Sequence, residues 1–121
     1  MKPFPFLLCL MSFLGCKAAE FRSVDADTFA HVIEDTTVIR LDVRTANEYA
    51  QGHIPNALLI DVTQADFMQK AKQMLPKDKT IALYCRSGRR SKTAAQQLAQ
   101  HGYQVVELNT GFNSWKGKIE Q

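Results

Sequence analysis

The chain has 121 residues, 45% of them apolar and 22% charged, and a formal net charge of +3 at neutral pH. That length holds one domain whose core buries roughly two-thirds of the surface of the unfolded chain, and the composition excludes a disordered polypeptide. The charge excess is too small by itself to imply a nucleic-acid partner, and none is expected.

Residues 1–19 read as an export signal and not as part of the fold. Lys2 is the only charge before Lys17, and the apolar run Phe4–Leu14 is interrupted by Pro5 and Ser12. Such a run falls short of the roughly 20 residues that span a bilayer as a helix, whereas a basic start and a short apolar middle describe a secretory leader. Its end, "SFLGCK", resembles a bacterial lipobox, with Phe13 where Leu is usual. The resemblance implies cleavage between residues 15 and 16, acylation of Cys16, and a periplasmic or lipid-anchored place in the bacterial cell envelope. Ordinary cleavage near Ala18 or Ala19 is the alternative. A buried N-terminal helix is a third reading, opposed by Pro5 and by the lack of a polar face. Cys9 leaves with the signal and Cys16 is acylated or lost, so Cys85 is a lone thiol and no disulfide forms within the mature chain.

Residues 20–121 form the domain, and strand-like and helix-like segments alternate along it. "EFRSV" near Glu20 is a weak strand candidate for a sheet edge. Asp25 can cap a helix carrying Phe29, Val32 and Ile33 at i, i+3, i+4 spacing. "VIRLDV" (38–43) reads as a strand. "TANE" is a capping box, in which Thr45 and Glu48 each reach back to a free amide, and Gly52 supplies the stop. "ALLID" (57–61) is the next strand. A helix presenting Phe67, Met68, Ala71 and Leu75 on one face then runs to Pro76. "TIALYC" (80–85) is a strand, residues 90–101 form a helix burying Ala94, Ala95 and Leu98, and "QVVELN" (104–109) is the last strand. This order predicts an α/β fold, a three-layer α/β/α domain around a five-stranded, mostly parallel sheet. A monomer is expected.

Sheets of this kind bind ligands beyond the carboxyl ends of their strands, where "TIALYC" places Cys85. The following "RSGRRS" turns into a helix. Gly88 lets successive amides point inward as an anion nest, and the helix start adds its positive end. Arg86, Arg89, Arg90 and Lys92 surround this turn without a nearby carboxylate in sequence. Together these features favour a thiolate at Cys85. A buried core cysteine, or a phosphate-binding turn with an incidental cysteine, are the competing readings. The first leaves the Gly-and-Arg turn unexplained, and the second lacks a Walker pattern.

"CRSGRRS" after an apolar strand resembles the active-site loop of the rhodanese family of sulfurtransferases. "LDVRTANEYAQGHIPNA" (41–57) resembles that family's Asp-x-Arg and Gly-His-Ile-Pro signature, and "GYQVVELNTGFNSWKG" resembles its C-terminal stretch. The three motifs span about residues 21–116, with Asn56 and Thr110 standing where the family usually has Gly. The resemblance implies that Cys85 takes a sulfane sulfur from an anionic donor such as thiosulfate and holds it as a persulfide. A thiol or cyanide-like acceptor then removes it. It further implies that the amides of Arg86, Ser87, Gly88, Arg89, Arg90 and Ser91 cradle the extra sulfur, while Arg86, Arg89 and Arg90 attract the donor. Two alternatives stand beside it: a non-catalytic module that holds an anion or partner, and a phosphatase or arsenate reductase of the same architecture. The latter use Cys-x5-Arg loops. Cys85-x4-Arg90 is one residue shorter and suits a single sulfur atom better than a tetrahedral group.

Outside the loop, Asp42 and Arg44 are candidate site residues, with Asp42 holding loop amides and Arg44 lining the rim. A structural reading pairs Arg44 with Glu48 instead and packs His53 before Pro55. His31 and His101 read as surface residues, and Trp115 as packing. No Cys/His cluster has ligand spacing, so neither metal nor cofactor is expected.

Overall fold

The computed structural model describes residues 19–121, so the leader and the expected acylation site at Cys16 lie outside the described residues. In chain order the elements are β1 (Arg22–Val24), α1 (Ala26–Val32), β2 (Ile39–Asp42), α2 (Ala46–Gln51), β3 (Leu58–Leu59), α3 (Phe67–Met74), β4 (Ile81–Tyr84), α4 (Arg89–Gln100) and β5 (Val105–Leu108), followed by a short 3-10 helix, Phe112–Ser114. Local chemistry sets several of these ends. Asp25 accepts the Thr28 amide at 2.9 Å and opens α1. The capping box at α2 forms both of its bonds, Glu48 N–H to Thr45 Oγ1 at 3.2 Å and Thr45 N–H to Glu48 Oε1 at 3.1 Å.

The strands order as β1-β5-β4-β2-β3, and every named pair is parallel. β1 lies at an edge, where the weak "EFRSV" signal placed it. β3 is shorter than the expected 57–61, although the Ile60 amide still bonds the Asp42 carbonyl at 3.0 Å. β4 is central and fully buried, and its side chains alternate between two cores as the strand pleat requires. Ile81, Leu83 and Cys85 join Phe67, Ala71, Ala94, Ala95 and Leu98 beneath α3 and α4. Ala82 and Tyr84 join Phe29, Ile33 and Ile54 on the α1 side. The result is the expected three-layer arrangement. Trp115 packs on the second core, edge to face with Phe29 at 6.2 Å. Asn56 adopts a φ of 66°, a left-handed conformation that Asn tolerates, so glycine is not required there.

Candidate active site

Cys85 directly follows β4 and begins the loop that enters α4. The loop is shaped largely by what holds its carbonyls. The Phe112 and Asn113 amides donate to the carbonyls of Cys85 and Arg86 at 2.8 and 3.0 Å. Lys92 Nζ donates to the Gly88 and Asn109 carbonyls at 3.0 and 3.1 Å. With those carbonyls held from outside, loop amides face inward, and the Gly88 N–H lies 3.1 Å from Cys85 Sγ.

Two glycines make this close approach possible. Gly88 has φ 101°, and a Cβ there would overlap the Asn109 carbonyl oxygen. Gly111 has φ 67°, and a Cβ there would strike the Arg86 carbonyl. Of the residues at the expected glycine pair, only Gly111 has positive φ. Thr110 keeps an ordinary backbone and donates its hydroxyl to Ser114 Oγ at 2.6 Å. The substitution at that position is therefore accommodated.

Cys85 is 0% exposed, with the first apolar core on one side and the loop on the other. Burial is the largest single influence on its thiol and pushes the pKa up. Hydrogen bonds from the Ser91 hydroxyl and from the amides of Ser91, Gly88 and Ser87 act the other way and together outweigh it. The thiol is held below its ordinary value, as expected, but hydrogen-bond donors dominate the favourable effects more than arginine charge does.

The basic residues divide into two groups. Arg86 and Arg89 are exposed and have no carboxylate partner among the described residues. Arg90 instead makes a two-pronged pair with Glu48, NH1 to Oε1 at 2.8 Å and NH2 to Oε2 at 3.0 Å. That pair corrects the expected Arg44–Glu48 contact and removes Arg90 from the free cations. Arg90 chiefly, with the Thr45 amide, brings the Glu48 carboxyl down to about 2 against the cost of burial.

Asp42 does not hold the loop amides, which corrects the expectation for it. Its oxygens accept the Arg44 amide at 2.9 Å, the Arg44 guanidinium at 2.7 Å and the Tyr84 hydroxyl at 2.9 Å. Asp42 is partnered with Tyr84 in register, and Tyr84 faces the core opposite Cys85. Arg44 also donates to the Gly52 carbonyl at 2.6 Å and lies over the Phe112 ring, 4.4 Å from its centre. It thus braces the 3-10 turn that grips the loop. Burial of Tyr84 and the adjacent Asp42 carboxylate push the phenol pKa far up, so it donates permanently. His53 is buried and stacked on Tyr49 at 3.6 Å, while His31 and His101 lie on the surface.

Beside the loop a pocket of about 220 Å³ is lined by Arg44, Glu48, Gly52, Arg86, Phe112 and Asn113. A larger hollow of about 650 Å³ lies at the opposite, amino-terminal end of the strands, by Thr80 and Gln104. It contains none of the loop residues, so the smaller pocket is the relevant one.

The family profile described as "Rhodanese-like domain" matches residues 25–118. The chain belongs to the rhodanese-like family. It is 36% identical over 94 residues to a protein named sulfurtransferase from Allochromatium vinosum, covering 76% of this chain and 85% of that one. It is 30% identical over 86 residues to the thiosulfate sulfurtransferase GlpE of Coxiella burnetii, covering 70% and 78%. A rhodanese-related protein from Thermoplasma volcanium superposes with a TM-score of 0.72 at 28% identity, covering 83% of this chain and 98% of that structure. Those likenesses give the rhodanese-like fold to the domain and sulfurtransferases as its relatives.

The arrangement also contains residues that the sequence reading passed over. Glu107 is buried in β5 and accepts the Ser91 hydroxyl at 2.5 Å. An acid inside the apolar run "VVEL" was its only signal. Phe112 had none, because its amide and its ring do the work, and neither is visible in a motif.

Proposed function

We propose that this chain is a rhodanese-type sulfurtransferase that carries a sulfane sulfur on Cys85 as a persulfide. The observation that carries the reading is the Gly88 amide 3.1 Å from Cys85 Sγ, in a loop whose donors hold the thiol below its ordinary pKa and which carries the exposed cations Arg86 and Arg89. An anionic donor such as thiosulfate is drawn to those arginines. The Cys85 thiolate attacks its outer sulfur, a new S–S bond forms as the donor's breaks, and the bonding pair leaves on sulfite. A thiolate or cyanide then attacks the outer sulfur, and the electron pair returns to Cys85. Neither displacement needs a proton, so the site requires no acid or base.

The test is formation of thiocyanate from thiosulfate and cyanide, together with the mass of the isolated protein. Wild type is expected to turn over and to carry one added sulfur atom, with both lost in Cys85→Ala. A wild type as inert as the variant, with no added mass, overturns the proposal. For the leader, we propose export and acylation at Cys16. The lipobox resemblance supports this, and the intact mass from cell envelopes tests it.

A further inference from the structure

Single apolar residues on a protein surface are common and need no explanation, but Ile119 is an exposed apolar residue whose backbone is pinned on both sides. It is 54% exposed, the most of any large apolar side chain among the described residues. Before it, the Trp115 indole N–H donates to the Lys118 carbonyl at 3.0 Å, and Trp115 is itself seated against Phe29. After it, Glu120 pairs antiparallel with His53 through backbone bonds of 2.9 and 2.8 Å. The Gln121 side-chain amide then donates to the Gln51 carbonyl at 3.1 Å. Residues 115–121 thus form a strap fixed across the C-terminal end of α2.

The strap carries Ile119 into the lining of the 220 Å³ pocket beside the Cys85 loop. A Cβ placed on Gly52 would lie 3.5 Å from Ile119 Cδ1 and 4.0 Å from Phe112 Cζ, so the two apolar tips converge at Gly52. Most of the charge in the lining is already paired. Arg44 is bonded to Asp42, and Glu48 to Arg90. Arg86 is left as the lining cation with no carboxylate partner among the described residues. Two links join this pocket to the sulfur. Arg86 follows Cys85 in the chain, and the Phe112 amide bonds the Cys85 carbonyl at 2.8 Å.

Two apolar tips and one free cation fit a short anionic molecule. The volume of about 220 Å³ lies below the roughly 300–1,000 Å³ of sites for drug-sized ligands, which selects a small one. We propose that this pocket is the acceptor subsite, that it takes a small thiol bearing a carboxylate, and that Ile119 is a specificity-determining residue in it. The proposal rests on Cys85 as the sulfur carrier and names the class of acceptor. The acceptor's carboxylate pairs with Arg86, and its carbon chain lies between Phe112 and Ile119. Its thiolate attacks the outer sulfur of the Cys85 persulfide. A new S–S bond forms as the bond to Cys85 breaks, the electron pair returns to Cys85, and the acceptor leaves as its own persulfide. No proton moves, and no further reactant is needed.

The probe is mercaptopropionate, with mercaptopropanol as an uncharged thiol of equal carbon number and cyanide as an acceptor too small to span the pocket. Nuclear magnetic resonance of reduced protein labelled at its isoleucine methyl groups follows Ile119 as mercaptopropionate is added. A saturable shift of the Ile119 signal is expected, with Arg86→Ala weakening the binding about two- to fivefold. No shift, or one that Arg86→Ala leaves equally tight, overturns the proposal. Turnover gives a second arm, because kcat/KM for each acceptor reports only the second displacement. Ile119→Ala, with its fold checked by circular dichroism, should lower the thiol-to-cyanide ratio of kcat/KM roughly three- to tenfold. Arg86→Ala should lower the ratio of the charged to the uncharged thiol. An unchanged thiol-to-cyanide ratio in Ile119→Ala, whatever the rates, would make the strap a structural brace only and would overturn the assignment. If wild type forms no thiocyanate, the sulfurtransferase reading fails on its own, and the titration still decides whether the pocket takes a small anionic thiol.

Discussion

Glu48 and Arg90 join α2 to the first turn of α4 through paired contacts of 2.8 and 3.0 Å. One end of the pair sits in the capping box of α2, and the other belongs to the loop that surrounds Cys85. The fork-to-fork geometry fixes the orientation of both groups, so the bond ties the start of α4 to the β2 side of the sheet.

Breaking that tie has a pH signature. The folded-state pKa of Glu48, about 2, lies below its ordinary value of 4.5. The contribution is therefore fully present above pH 4.5 and is lost as pH falls through about 2. Glu48→Gln should destabilise the domain by about 1–2 kcal/mol at neutral pH, after allowance for solvent screening of a partly exposed pair. Urea unfolding at a series of pH values should show the difference from wild type shrinking below pH 4.5.

Cys85 combines a lowered pKa with complete enclosure. Its alkylation should hold its plateau to lower pH than a free cysteine, with an inflection below roughly 8.5. Enclosure should select by size, so iodoacetamide should outpace a bulky aryl maleimide, reversing their order toward an unhindered thiol. Competition between the two reagents on the native protein measures this.

The division among the arginines predicts different failures. Arg86→Ala and Arg89→Ala should each raise KM for thiosulfate roughly three- to tenfold while leaving thermal stability near wild type, and added salt should narrow the gap. Arg90→Ala should lower the melting temperature as well, because it leaves Glu48 without its partner. Steady-state kinetics at two ionic strengths, with thermal melts, separate the two classes.

The two residues of the turn after β5 should behave oppositely. Gly111→Ala forces a side chain against the Arg86 carbonyl at φ 67° and should cost about 2–3 kcal/mol, with sulfur transfer falling in parallel. Thr110→Gly removes one surface hydroxyl pair and should change stability by less than about 1 kcal/mol. Denaturant unfolding and thiocyanate assays test both.

Most of the architecture was legible because each element carries its own punctuation. Asp25, the Thr45–Glu48 box and Gly52 mark helix ends by local chemistry, and the apolar run before Cys85 reads as a buried strand. Within the site, Cys85 and its glycine turn were equally plain. Side-chain pairing was not. Arg44 stands four residues from Glu48, a spacing that invites a bond, but burial beside Asp42 and the Gly52 carbonyl offered it stronger partners. Arg90 reached Glu48 from 42 residues away. Glu107 and Ser91 likewise meet only because β5 lies alongside β4, a juxtaposition that no local pattern encodes.

The carbonyls of Cys85 and Arg86 are gripped by amides more than twenty residues downstream, at Phe112 and Asn113. A polypeptide emerging from the ribosome, or one from which the last strand has come loose, therefore has no inward-facing cradle and carries an ordinary thiol. The carbonyls of the loop are held in this arrangement only with the C-terminal turn closed. The environment of this cysteine is therefore a product of the whole domain and not of its own loop alone.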